Sequence, residues 1–147
     1  MNTFITAKSL IRAAANLDPR RCFKQAVEIK QILRALEDPN YAWSRHPSVR
    51  QWRDFPFILE TFGYHCAVSS TKEGYNHSLK FIDHGYKTFP LQFNQLITNH
   101  RGLLIRKEPD YYRPQWPDAI IAKYSLYIHP DTLIPFHPIY EPHPTRP

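Results

Sequence analysis

The sequence predicts an all-α protein: a compact, single-domain helical fold with a proline-rich irregular C-terminal segment. The chain has 147 residues, which suits one domain with enough length to bury a core. It contains 4 glycines, which is too few for the many tight turns of a β-rich fold. Its apolar residues recur mainly with the period of a helix, so helices are expected to form the core.

The N-terminal third predicts two helices. Residues 6–16 are expected to form a short first helix. Asp18 is a good N-cap and Pro19 a good first-turn residue, so a second helix is expected from Pro19 to about Leu36. Apolar residues at steps of four and three define its buried side: Cys22, Ala26, Ile29, Leu33 and Leu36.

Three further helices are expected in the middle of the chain. One begins after Pro47 and is kinked or split by Pro56, which cannot donate a helical hydrogen bond. Another covers residues 72–84 and stops at Gly85, and a short one covers residues 92–107. The buried sides of the first two are expected to be Val49, Trp52, Leu59, Phe62 and Cys66, then Tyr75, Leu79 and Ile82.

Most of the 14 prolines lie from Pro109 onward, and the stretch from Pro130 to Pro147, which contains six of them, is not expected to form a regular helix. We therefore divide the chain into a helical domain over residues 1–117 and an extended tail over residues 118–147. This tail is rich in proline, histidine and aromatic residues. It either packs on the same domain or is partly disordered.

The composition excludes several classes of protein. No apolar run is long enough to cross a membrane, and no secretory signal is evident, so we expect an intracellular, cytoplasmic protein. The two cysteines, Cys22 and Cys66, are expected to be reduced and buried. Histidines and cysteines lack the spacing of a metal site, so we expect no metal and no cofactor. The net charge of +6 is compatible with a polyanionic partner.

Three stretches carry charged and aromatic residues that could form a functional site. The second helix places Lys24, Gln25 and Glu28 on one face with Arg20 and Arg21 at its start, although a solvated Lys24–Glu28 ion pair would have the same spacing. Arg45 and His46 stand at a helix entrance, where anions bind, or in an ordinary surface loop. The third stretch has cations followed by aromatic residues that suit either base stacking or a core: His100, Arg101, Arg106, Lys107, then Tyr111, Tyr112 and Trp116.

The chain also resembles a known family through several short motifs in a fixed order. They begin with Met1-Asn2-Thr3-Phe4 and the run from Leu17 to Arg21, continue with Lys24-Gln25, Val27-Glu28 and His46-Pro47, and end with the block from His100 to Tyr112. In this order and spacing, over roughly residues 1–117, the sequence is similar to the pyrimidine-dimer glycosylases of the endonuclease V type, which occur in phages and bacteria.

This resemblance implies a DNA-repair glycosylase and abasic-site lyase that needs no metal. Members flip a nucleotide out of double-stranded DNA, attack the sugar with the N-terminal α-amine to form an imine, and nick the strand by β-elimination. The essential glutamate maps to Glu28. Arg20, Arg21, Lys24, Arg45 and Arg50 would hold phosphates. We expect the enzyme to act as a monomer on DNA with damaged pyrimidines or abasic sites.

Two points stay open at this stage. The reactive amine belongs to Met1 if the initiator methionine is retained and to Asn2 if it is removed. The alternatives to this function are a catalytically inactive DNA-binding relative and a glycosylase for another modified base. A phage origin fits the resemblance as well as a bacterial one.

Overall fold

The computed structural model describes residues 2–138, and its elements in that range are mainly helical. The expectation of an all-α fold is confirmed. The α-helices are α1 (Leu10–Asn16), α2 (Pro19–Glu37), α3 (Pro47–Arg50), α4 (Pro56–Lys72), α5 (Ile97–Lys107) and α6 (Pro109–Tyr112), with a 3-10 helix at Leu91–Leu96. Two short strands, β1 (Tyr127–Ile128) and β2 (Pro135–Phe136), pair in antiparallel fashion.

Helix α2 begins as its sequence predicts. Asp18 accepts a hydrogen bond from the Arg21 backbone N–H at 3.2 Å, and Pro19 occupies the first turn. The helix packs mainly against α4, and Cys22, Ala26 and Ile29 are buried as expected. Farther along, the buried side shifts to Ile32 and Ala35, while the predicted core residues Leu33 and Leu36 are only partly buried.

The third predicted helix is confirmed as a split element. Pro56 starts α4 instead of interrupting a longer helix, and the five residues that we expect on its buried side are all buried. Both cysteines are free and buried, also as expected. The Cys22 thiol donates to the Cys66 carbonyl oxygen at 3.4 Å.

The first helix is shorter than predicted. It begins at Leu10, after Ser9, whose hydroxyl accepts from the Arg12 backbone N–H at 3.2 Å. Residues 2–9, here called the N-terminal segment, are not helical, and Ser9 is bridged to Thr88. Thr3, Ile5 and Thr6 are fully buried. Burial and strand-like pairing with a distant segment therefore override the helical spacing of residues 6–9.

The predicted helix over residues 72–84 is wrong. Helix α4 already covers Lys72, and Gly74 follows in a left-handed conformation with φ of 94°, which ends the helix. Residues 75–87 contain no regular helix and are attached to the helices by side chains. Tyr75 stacks on Phe23 with ring centres 5.1 Å apart, and His84 Nε2 is 2.6 Å from Glu60 Oε1. Ile82, expected inside, is 63% exposed.

Residues 118–138, here called the C-terminal segment, lie against α5. A side chain at Gly102 would stand 2.2 Å from the Ile120 carbonyl oxygen, so α5 and this segment touch through their backbones. Asn99 fixes the register by donating to the Tyr124 carbonyl oxygen at 2.8 Å and accepting from the Leu126 N–H at 2.9 Å. The remainder of the predicted tail, residues 139–147, lies outside the described residues.

Among residues 2–138, no helix is both long and apolar enough to cross a membrane. Within the same range, no three histidine, cysteine or acidic side chains are grouped so that they could hold a metal ion.

Candidate functional site

Four parts of the chain meet around a cleft of about 630 Å³, here called the basic cleft. They are the N-terminal segment, α2, α5 and the C-terminal segment. Among its lining residues, Glu28 is the acidic one and five are basic. The lining consists of Asn2, Phe4, Arg21, Lys24, Gln25, Glu28, Leu103, Arg106, Lys107, Lys123, Ser125 and Tyr127.

Glu28 lies next to the start of the chain. Its Oε2 accepts a hydrogen bond from the Asn2 backbone nitrogen at 3.3 Å. Lys24, one turn earlier on α2, is not within 4.0 Å of the Glu28 carboxylate, so the simple helix-face ion pair is not formed. Met1, the other candidate for the reactive amine, lies outside the described residues. The carboxylate thus faces the N-terminal segment and not its helical neighbour.

Gln25 holds the N-terminal segment in place. Its Nε2 donates to the Asn2 carbonyl oxygen at 2.9 Å, and its Oε1 accepts from the Phe4 N–H at 2.8 Å. The residue is 2% exposed. The expectation that Gln25 contacts DNA therefore needs correction, because both ends of its amide bind the protein's own backbone.

The C-terminal segment supplies the opposite wall. Asn2 Nδ2 donates to Ser125 Oγ at 2.9 Å, while the buried Asn2 Oδ1 accepts no hydrogen bond from the described residues. Burial raises the pKa of the neighbouring Tyr127 phenol, and the Glu28 carboxylate raises it further. Tyr127 therefore stays protonated and neutral beside the carboxylate.

His100 is a structural residue and not a DNA contact. It is fully buried, and burial lowers the pKa of its imidazole to about 4. Its Nδ1 accepts from the Ile5 N–H at 2.9 Å, so Nε2 carries the proton and donates to the Leu126 carbonyl oxygen at 3.1 Å. The sequence-based assignment to DNA is corrected: His100 joins the N-terminal segment to the C-terminal segment.

Arg101 is also bound within the protein. Its Nε donates to the Thr6 carbonyl oxygen at 2.8 Å, and its guanidinium lies over the Trp116 ring, 5.2 Å from the ring centre. Burial lowers the pKa of this guanidinium. Arg101 does not line the basic cleft. Its hydrogen bond to Thr6 instead supports the N-terminal segment from the side of α5.

The other basic residues considered for DNA binding either line the cleft or lie outside its lining. Lys24, Arg106, Lys107 and Lys123 line the cleft and are exposed, and Arg106 Nη1 also donates to the Lys123 carbonyl oxygen at 2.8 Å. Arg21 lines the cleft too but pairs with Asp18 at 3.1 Å. Arg20, Arg45 and Arg50 are exposed outside the lining.

His46 does not line the cleft but contacts one of its lining residues. Its Nδ1 accepts from the Ser48 backbone N–H at 3.0 Å and so caps α3. Its ring packs edge-on against Tyr127, with centres 6.0 Å apart. The structure therefore places His46 in contact with the cleft residue Tyr127 and gives it a local role as the cap of α3.

Sequence reasoning missed the contribution of the C-terminal segment. Lys123, Ser125 and Tyr127 line the cleft, yet they lie in a segment without helical or strand periodicity. A basic residue among aromatic ones at 123–127 is the one available signal in the sequence, and it does not specify where an irregular chain will pack.

One of three comparisons with known proteins gives a match. A family model described as pyrimidine dimer DNA glycosylase matches residues 1–83, which is more than half of the chain. Searches of curated proteins and of solved structures gave no match. The matched range includes Asn2, Gln25 and Glu28 but ends before the C-terminal segment. The chain therefore belongs to the pyrimidine dimer DNA glycosylase family, a family of DNA-repair enzymes.

Proposed function

We propose that the chain excises damaged pyrimidines from double-stranded DNA and then nicks the strand, with its terminal amine as nucleophile and Glu28 as the essential carboxylate. The observation that carries the proposal is the 3.3 Å contact between the Asn2 backbone nitrogen and Glu28 Oε2. If Met1 is removed, that nitrogen is the α-amine. If Met1 is retained, the amine lies one residue away, a step of about 3.8 Å along the chain.

The chemistry needs a neutral amine and a nearby carboxylate. An α-amine has a pKa of about 8, so a useful fraction is neutral at physiological pH. Its nitrogen forms a bond to the sugar C1′ while the bond from C1′ to the base breaks, and the base leaves with that electron pair and takes up a proton. Glu28 stabilises the positive charge on the sugar and accepts a proton from the attacking nitrogen.

The strand is nicked in the second stage. The bond from C1′ to the ring oxygen O4′ breaks, the nitrogen's electron pair forms an iminium ion with C1′, and O4′ takes up the proton that Glu28 had accepted. The iminium makes the protons on C2′ acidic, and Glu28 is again a carboxylate. Loss of one of them to a base creates a double bond between C2′ and C3′, and the bond from C3′ to its phosphate oxygen breaks. Glu28 is the carboxylate among the residues that line the cleft, so we assign it this proton transfer as well.

The basic residues account for DNA binding. Arg21, Lys24, Arg106, Lys107 and Lys123 would contact phosphates inside the cleft, with Arg20, Arg45 and Arg50 outside its lining. A damaged nucleotide must leave the base stack to reach a recessed carboxylate, and its extrusion costs least where pairing is already disturbed. This favours damaged over intact pyrimidines as substrates.

Borohydride trapping on abasic duplex DNA tests the proposal. We expect a covalent protein–DNA adduct, with the sugar on the first residue of the mature chain, as identified by mass spectrometry of the trapped peptide. Nicking should continue in EDTA because an imine mechanism uses no metal. An adduct on an internal lysine such as Lys24, or full nicking by a protein with an extra N-terminal tag still attached, would contradict the terminal-amine mechanism.

The same substrates distinguish the proposed function from its two alternatives. An inactive DNA-binding relative would bind abasic duplexes without nicking or trapping. A glycosylase for another modified base would nick abasic DNA but would not release pyrimidine dimers from irradiated DNA. The proposed enzyme does both.

A further inference from the structure

The loop between α2 and α3, residues 38–46, carries an exposed tryptophan and is here called the Trp43 loop. Trp43 is 44% exposed, whereas Trp52 is fully buried and Trp116 packs between the Tyr112 ring and the Arg101 guanidinium. Exposing a large indole forgoes the stability that its burial would give. An ordered loop that does so is a candidate for binding a ligand.

Hydrogen bonds hold the Trp43 loop in one conformation. The Asn40 N–H donates to Asp38 Oδ1 at 3.0 Å, Ser44 Oγ donates to the Pro39 carbonyl oxygen at 2.9 Å, and the His46 N–H donates to the Trp43 carbonyl oxygen at 2.9 Å. The backbone that carries the indole is therefore held in place, and little backbone entropy is lost when the loop binds.

Ring contacts place Trp43 beside the basic cleft. Its ring centre is 5.5 Å from that of His46, which is 6.0 Å from that of the cleft residue Tyr127. The Trp43 and Tyr127 rings are thus no more than 11.5 Å apart, the sum of these two distances. Arg45 in the same loop and Arg50 in α3 are exposed. An exposed aromatic ring near a basic cleft, with two exposed cations close by in the sequence, suits a nucleic acid, whose bases stack and whose phosphates are anionic.

We propose that Trp43 enters the base stack at the lesion and fills the space left by the nucleotide that moves into the basic cleft. The inference rests on the proposed function and adds a residue that reads the disturbed stack. Insertion stabilises the extruded state, because the indole stacks on the bases that flank the gap. It contributes on duplex DNA only, because a single strand has no continuous stack to hold open.

The kinetic test compares duplex and single-stranded oligonucleotides that each contain one abasic site. We expect Trp43→Ala to lower the single-turnover nicking rate on the duplex by about tenfold or more, leave the single-strand rate within about twofold, and Trp43→Phe to recover most of the loss. Phe57→Ala is the matched control, because Phe57 is 58% exposed, packs on His84 and does not line the cleft. Equal losses on both substrates, or no loss on the duplex, would overturn the proposal.

A binding measurement tests insertion without catalysis. A duplex with an uncleavable tetrahydrofuran abasic analogue should quench part of the tryptophan emission, and Trp43→Phe should lose that part. An undamaged duplex should quench it less. Equal quenching in wild type and Trp43→Phe would refute insertion. If the wild-type protein nicks neither abasic substrate, the proposed function fails, while the fluorescence result still decides the role of Trp43.

Discussion

Asn2 is held by three side chains from two parts of the fold. Glu28 and Gln25 on α2 bind its backbone nitrogen and carbonyl oxygen, and Ser125 binds its carboxamide. A terminal nucleophile has to be positioned as accurately as a side chain, although chain ends are usually among the least ordered parts of a protein. These three contacts provide that order where the reaction would take place.

Glu28→Gln tests the carboxylate directly. The amide keeps the size of the side chain but removes its charge, so we expect wild-type stability and DNA binding with base release lowered at least about 100-fold. Melting temperature, DNA affinity and single-turnover base release are the measurements. Glu37→Gln, at the exposed end of the same helix, should change none of them. Near-wild-type base release in Glu28→Gln would remove the residue from the mechanism.

Gln25→Ala should loosen the N-terminal segment. It leaves the Phe4 N–H and the Asn2 carbonyl without their partners, which we expect to cost about 1–3 kcal/mol in the free energy of unfolding. Because the same contacts position Asn2, borohydride trapping should slow while the affinity for undamaged duplex is unchanged. Gln31→Ala, on the same helix, is the control. A purely DNA-contacting Gln25 would instead lose affinity with little change in stability.

The burial of His100 predicts how the free energy of unfolding depends on pH. Burial lowers the pKa of the folded protein's imidazole to about 4, against about 6.5 in the unfolded chain, so the unfolded state binds more protons between these values. The stability from His100 is complete above about pH 6.5 and falls as the pH drops toward 4, by about 3 kcal/mol.

Urea denaturation between pH 4 and pH 7 checks this expectation. His100→Gln keeps a donor and an acceptor but does not titrate. We expect this variant to be less stable than wild type at pH 7 and to lose stability less steeply as the pH falls. Parallel pH profiles for the two proteins would show that His100 does not cause the acid sensitivity.

The role of a residue could be predicted from the sequence only where the residue belongs to a family-like motif. The family-like run around Val27-Glu28 led to Glu28, which does lie beside the chain's start. Gln25 and His100 stand in equally suggestive runs, but both are buried and bonded to backbone. Spacing along a helix tells which residues share a face, and it does not tell whether water or another segment covers that face.

At the scale of elements, the sequence predicted a helix correctly where a cap and a regular apolar stripe occur together, and wrongly where helical spacing stood alone. Asp18-Pro19 and a regular apolar stripe predicted α2 to within one residue at its end, Glu37 against Leu36. Residues 72–84 had helical spacing but contain Gly74 near their start, and contacts with α2 and α4 determined their path instead. The position of the C-terminal segment depends on contacts with α5 that no local pattern encodes.

Gly102→Ala tests the contact between α5 and the C-terminal segment. In an exposed helix this substitution would stabilise by about 1 kcal/mol. Here the added methyl would stand 2.2 Å from the Ile120 carbonyl oxygen and 2.7 Å from the Ala122 nitrogen, which are backbone atoms that cannot move aside alone. We therefore expect a lower melting temperature and slower nicking, since the wall with Lys123 and Ser125 shifts. A rise in melting temperature would show that the segment is not docked as described.

At the scale of the whole molecule, the net charge of +6 matters through its placement. The basic cleft combines cations from α2, α5 and the C-terminal segment around Glu28, so the proposed DNA contacts come from distant parts of the chain that folding brings together. The family match ends at residue 83, and Lys123 lies 40 residues beyond it. The contribution of the C-terminal segment to the basic cleft is therefore seen in the three-dimensional structure and not in the family match.

Lys123→Ala measures that contribution. If Lys123 contacts one phosphate, the variant should bind duplex DNA more weakly, and the slope of log affinity against log salt should become shallower by about one. Lys72→Ala is the matched control, because Lys72 is an exposed cation at the end of α4 that does not line the cleft; it should leave the slope unchanged. Titrations at several salt concentrations, with undamaged and abasic duplexes, give both slopes. Because phosphates are the same in every sequence, the two duplexes should lose affinity about equally. A loss confined to the abasic duplex would make Lys123 a reader of the lesion, and unchanged slopes on both would place it outside the DNA-binding surface.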